Sequence, residues 1–87
     1  MDNVQKAKEL APPEQSREAI REEIRDLTAR LERLNDFMEL DEFLKQDPED
    51  QELMKTQRQG MREYATALAR RQMRLSLRRL GLLDGLQ

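Results

Sequence analysis

Residues 20–38 read IREEIRDLTARLERLNDFM, and this stretch decides the fold. Its apolar residues are Ile20, Ile24, Leu27, Leu31, Leu34 and Met38, spaced 4, 3, 4, 3 and 4 apart. That spacing keeps one apolar stripe on one side of a helix and is the seam of a coiled coil. The intervening positions are charged, and several opposite charges sit one turn apart: Glu14–Arg17, Glu18–Arg21, Glu22–Arg25 and Asp26–Arg30. Each such pair adds a few tenths of a kcal/mol at most. Upstream, Pro12-Pro13 interrupts any helix, because proline removes a donor and displaces the residue before it from the α region. The long helix is therefore expected to start just after the prolines, with Glu14 at its positive dipole end. Residues 1–12 form a separate arm with the pattern of a short helix, Val4, Ala7 and Leu10 lying along one side.

Downstream, Asp41-Glu42 falls where the seam is due to continue, so residues 40–46 are expected to be a turn or a short helical piece plugged by Phe43 and Leu44. Asp47-Pro48-Glu49-Asp50 then has the form of a helix start, with a capping carboxylate, a proline for the first position and acids in the first turn. The second helix carries Met54, Met61, Leu68 and Leu75 at seven-residue intervals. Gly60 lies inside it, at a cost of roughly 1 kcal/mol relative to alanine. Gly81 is expected to end it, with Arg78 and Arg79 in the last turn.

Two such seams joined by one turn predict an all-α protein: a short N-terminal helix and then an antiparallel two-helix hairpin. The hairpin spans residues 13–80 with its turn at about 40–47, and a Leu-rich tail, 81–87, follows. Counting outward from the turn pairs Met38 with Met54, Leu31 with Met61, Ile24 with Leu68, and brings Ile20 near Leu75. Each helix is roughly 40–50 Å long at about 1.5 Å per residue.

Composition agrees with long helices: Ala, Glu, Lys, Leu and Arg make up more than half of the 87 residues. The chain has no Cys and no His. That removes disulfides, thiolate zinc sites, cysteine nucleophiles and the commonest general base. The paired carboxylates Glu22-Glu23 and Asp41-Glu42 lack the histidine of a Glu-x-x-His metal site. No metal, cofactor or catalytic activity is expected. No apolar run approaches about 20 residues, so no membrane span is expected. An intracellular location is expected.

A hairpin of two helices buries one stripe on each and has little interior. Ala69, Met73, Leu77 and Leu80 form a second apolar stripe on the second helix, roughly 100–160° from its seam. Leu82 and Leu83 extend it. The chain is therefore expected to form a homo-oligomeric helical bundle through Ala69, Met73, Leu77, Leu80, Leu82 and Leu83. Folding back of the N-terminal arm is the other way to cover them.

Charge is segregated although the net formal charge is only −2. Residues 64–83 hold Arg70, Arg71, Arg74, Arg78 and Arg79 and no acid. A guanidinium grips phosphate oxygens through two bonds at once. Arg70, Arg71, Arg74 and Arg78 are thus candidate phosphate ligands, and Tyr64 is a candidate stacking plane for a base. The competing reading returns Glu14, Glu18, Glu22 and Glu23 across the hairpin as ion-pair partners and puts Tyr64 into the seam. Duplex nucleic acid fits poorly, since the basic patch is short and the turn end is acidic.

The residues from Leu31 to Met38, then Phe43, Glu52-Leu53-Met54, Gln57 and Met61 to Arg71 resemble a group of very small phage proteins. That group is named after an open reading frame of a crAss-like phage. The resemblance covers about residues 24–72 and implies a phage origin and a helical hairpin. In architecture, the arm and hairpin are also similar to the anti-CBASS cyclic-nucleotide sponges of phages. Those assemble as homo-oligomers and hold cyclic oligonucleotides between subunits without cleaving them. None of their pocket residues is carried over to this chain. The arginines beside the apolar stripe, together with this resemblance, lead to the expectation of a non-enzymatic accessory protein in the host cytoplasm that counters host defence by sequestering a phosphate-bearing signal, a cyclic oligonucleotide first among them. Two alternatives stand beside it: an inhibitor that docks on a host defence or regulatory protein, and a small virion or assembly protein.

Overall fold

The computed structural model describes residues 16–82. These form α1 (Arg17–Met38), α2 (Asp41–Leu44) and α3 (Pro48–Arg79). Among the described residues there is no strand. The expected N-terminal helix and Leu83 lie outside the described residues.

Local chemistry accounts for each boundary. At the start of α1 the Ser16 hydroxyl accepts the Ala19 N–H at 3.0 Å, so Ser16 is the cap that the emphasis on Glu14 overlooked. At the far end Glu39 and Leu40 donate to the Asp36 and Phe37 carbonyls at 3.2 and 3.0 Å, which tightens the last turn. The α3 start is as expected: an Asp47 carboxylate oxygen accepts the Glu49 N–H at 2.8 Å, and Pro48 occupies the first position. The Gln51 side-chain amide donates to the Gln46 carbonyl at 2.9 Å and ties the loop to the first turn of α3. At the α3 end Gly81 has φ +75°. Its N–H reaches the Arg78 carbonyl at 3.1 Å, and the Leu82 N–H reaches Leu77 at 2.9 Å. This is a Schellman arrangement, which needs the left-handed residue that glycine provides without strain.

The turn is plugged by one residue rather than two. Phe43 is 5 % exposed. Leu44 is 70 % exposed, because on a four-residue helix only one side can face the bend.

The hairpin core is Ile20, Leu27 and Leu68, with Ile24, Met61, Ala65 and Leu75 packed against it. Ile24 shares this cluster with Leu68, and Ile20 shares it with Leu75, in keeping with the outward count from the turn. Nearer the turn, Leu31, Leu34, Met38 and Met54 are only half-buried. The core is thus concentrated in the open half of the hairpin, and the space between the helices is incompletely filled at mid-length.

Candidate functional site

Two grooves follow the same face of α3. Arg71, Arg74, Leu75 and Arg78 line the first, of about 210 Å³. Gln57, Gly60, Met61 and Tyr64 line the second, of about 510 Å³, together with Leu27, Arg30 and Arg33 of α1. The α3 residues of the two grooves correspond one for one at a separation of 14 residues: Gln57 with Arg71, Gly60 with Arg74, Met61 with Leu75, Tyr64 with Arg78. Fourteen residues are two heptads, so the grooves share a side of the helix and lie about 21 Å apart along it.

Of the four candidate phosphate ligands, the structure brings three together. Arg70 is set apart, beside Gln59, Arg62, Glu63 and Thr66 in a neighbouring groove. At about 100° per residue Arg70 lies about 100° from Arg71 and about 80° from Arg78, though only about 40° from Arg74. Arg71, Arg74 and Arg78 are spaced three and four, and stay on one side.

Across the hairpin, among the described residues, the carboxylates expected to neutralise the arginines do not reach Arg74 or Arg78, and Glu14 lies outside the described residues. Among the described residues, no ion pair joins Glu18 or Glu22 to Arg74, Arg78 or Arg79. Glu23 is taken instead by Arg30 of its own helix, at 3.1 Å. Arg17 adds a further cation at this end, beside Ser76, Arg79 and Leu80. Its Nε is buried without a hydrogen-bond partner among the described residues. Among the described residues, Arg17, Arg74, Arg78 and Arg79 at the open end of the hairpin form no ion pair with a carboxylate, and their mutual repulsion favours an anion.

Tyr64 is 40 % exposed. At about 100° per residue it lies about 60° off the seam at Met61, so it forms a groove wall rather than part of the core. Arg30 and Arg33, opposite it, were not singled out from the sequence. Arg30 is oriented by Glu23 and by the Asp26 carbonyl at 3.4 Å. Arg33 has no ion-pair partner among the described residues. Gln57, Tyr64, Arg71 and Arg78 recur every seven residues, and that spacing is the signal that would have linked the two grooves.

The apolar stripe on α3 is open to solvent within one chain. Met73 is 63 % exposed, Leu80 70 % and Leu82 57 %; Ala69 is exposed and Leu77 half-buried. Among the described residues, no group of three acidic, His or Cys side chains is placed to hold a metal. Nor is any helix there long and apolar enough to cross a membrane.

The model of one family matches residues 14–74, more than two thirds of the chain. The chain belongs to the Sequestin family. The match takes in all of α1 and α2 and runs along α3 to Arg74. Every residue of the 510 Å³ groove lies inside the Sequestin segment, and Leu75 and Arg78 of the smaller groove lie beyond it. No curated protein and no solved structure matches the chain.

Proposed function

We propose that this protein is a non-enzymatic phage accessory protein that counters host defence by binding and sequestering a phosphate-bearing signal, a cyclic oligonucleotide being the ligand that fits best. The observation that carries the reading is the groove of Arg71, Arg74 and Arg78, with no carboxylate paired to Arg74 or Arg78 among the described residues. Guanidinium groups held three and four residues apart match the spaced oxygens of phosphodiesters, and each holds an oxygen pair through parallel N–H bonds. Tyr64 lies about 10.5 Å along α3 from Arg71, at seven residues and about 1.5 Å each, on the same face. The family's name points to sequestration. The lack of Cys and His leaves few groups for cleaving a bound ligand.

Self-association belongs to the same reading. Ala69, Met73, Leu77, Leu80 and Leu82 present an apolar face that a second copy would cover, doubling the cationic surface offered to one ligand. Isothermal titration against a panel of cyclic di- and trinucleotides tests the proposal. Micromolar or tighter binding by at least one supports it, and silence across the panel at micromolar protein refutes it.

One observation favours a second reading, an inhibitor that docks on a host protein. At the turn end Leu40, Leu44 and Leu53 are all exposed, within the acidic stretch 41–52. A stoichiometric protein partner recovered from host lysate, lost on Leu44→Lys, would favour that reading over the first.

A further inference from the structure

The 510 Å³ groove contains a glycine that the folded chain does not need. Gly60 lies in the middle of α3 with ordinary helical geometry, and a Cβ built there meets nothing within 4 Å. No neighbouring helix approaches closely and no positive φ is required. Within one chain the glycine only weakens the helix. What it does is leave bare backbone on the floor of a groove. Tyr64, Gln57, Arg30 and Arg33 line the same groove, together with Leu27 and Met61.

This set of groups has a specific chemical meaning. Bare backbone beside a partly exposed phenol ring suits a planar ring, and Met61 adds apolar lining. The Gln57 amide offers both a donor and an acceptor to a heteroaromatic edge. Arg33, with no ion-pair partner among the described residues, and Arg30, held in place by Glu23, suit an anionic substituent. The volume is in the roughly 300–1,000 Å³ range of small-molecule sites.

We propose that this central groove is a nucleotide seat in its own right: the base lies on Gly60 against Tyr64, with its phosphate on Arg33 and Arg30. The inference rests on the nucleotide-binding reading above and adds a second site to it. The groove lies about 21 Å along α3 from the arginine groove, too far for one mononucleotide to occupy both. It therefore works independently of Arg74 and Arg78.

The test is an amide-resolved NMR titration of the full-length ¹⁵N-labelled protein with adenosine 5′-monophosphate, and in parallel with ribose 5-phosphate. The Gly60 cross-peak is the reporter. The monophosphate is expected to shift Gly60 and the Gln57 side-chain amide. Ribose 5-phosphate should bind there at least about tenfold more weakly for want of a ring to stack. Gly60→Leu fills the floor and is expected to weaken binding at least about tenfold while helicity is kept or raised. Arg74→Glu/Arg78→Glu should leave the Gly60 response intact. The inference is overturned if the monophosphate moves only residues 71–78, if the two ligands act equally on Gly60, or if Gly60→Leu binds normally. A Gly60 shift that follows protein concentration without ligand would also overturn it, by making a second copy the occupant. A cyclic dinucleotide that binds at Arg71–Arg78 while Gly60 stays silent would sink this inference and leave the sequestration reading standing.

Discussion

Phe37 and Phe43 meet edge to face, with ring centroids 6.4 Å apart and planes at 88°. The contact joins the last turn of α1 to α2 and is the main apolar closure at the turn end, where the seam residues are only half-buried. Such a pair adds about 0.5–1.5 kcal/mol beyond its buried area. Phe43→Ala removes both terms. It is expected to destabilise the hairpin by about 3 kcal/mol, measured by urea unfolding, whereas Leu44→Ala at the exposed neighbouring position should change stability by less than about 0.5 kcal/mol.

The two described glycines should respond in opposite directions to the same substitution. Gly60→Ala fills open space on a regular helix, so stability should rise by about 1 kcal/mol. For a domain of this size that raises Tm by roughly 4–8 °C. Gly81→Ala places a side chain at φ +75° and should lower stability by about 1 kcal/mol. Thermal unfolding followed by circular dichroism checks both.

Charge reversal in the arginine groove tests its role directly. Arg74→Glu/Arg78→Glu is expected to weaken cyclic dinucleotide binding by more than about tenfold, with the circular dichroism spectrum unchanged. The wild-type affinity should also fall as salt is raised, because surface charge interactions are screened over about 8–10 Å at physiological ionic strength. Arg70→Glu, in the neighbouring groove, should have a smaller effect.

The apolar face of α3 offers an independent check on self-association. Met73→Glu/Leu80→Glu places two charges on side chains exposed in the single chain. Light scattering should show a higher-order species for the wild type and a monomer for the variant. A wild-type chain that stays monomeric at high concentration would remove any site built between subunits.

Much of the fold is legible in residues 20–38 and 47–50. A 4-3 apolar rhythm admits one long helix, and Asp47-Pro48 admits one place for the next to begin. The turn was only half legible. Phe43 and Leu44 are equally apolar, and which of them faces the bend depends on a four-residue helix whose orientation is set by Phe37. Ser16 is a simple local signal that the prolines and Glu14 overshadowed. The candidate site was legible where it lies on one helix: Arg71, Arg74 and Arg78 are three and four apart and stay together. Arg70, although four residues before Arg74, lines the neighbouring groove with Arg62 and Thr66. Arg30 and Arg33 were missed because their meaning depends on facing Gly60 and Tyr64 across the hairpin, and no spacing along a single helix carries that information.

The central claim is that the protein holds a cyclic oligonucleotide and does not change it. The most direct measurement mixes the protein with an equimolar cyclic dinucleotide or trinucleotide, separates free ligand by ultrafiltration, then denatures the protein and analyses what is released by chromatography. The account expects the filtrate to be depleted of at least one member of the panel and the same intact molecule to return in full on denaturation. An undepleted filtrate for every member, or the release of a linear or otherwise altered product, would contradict it.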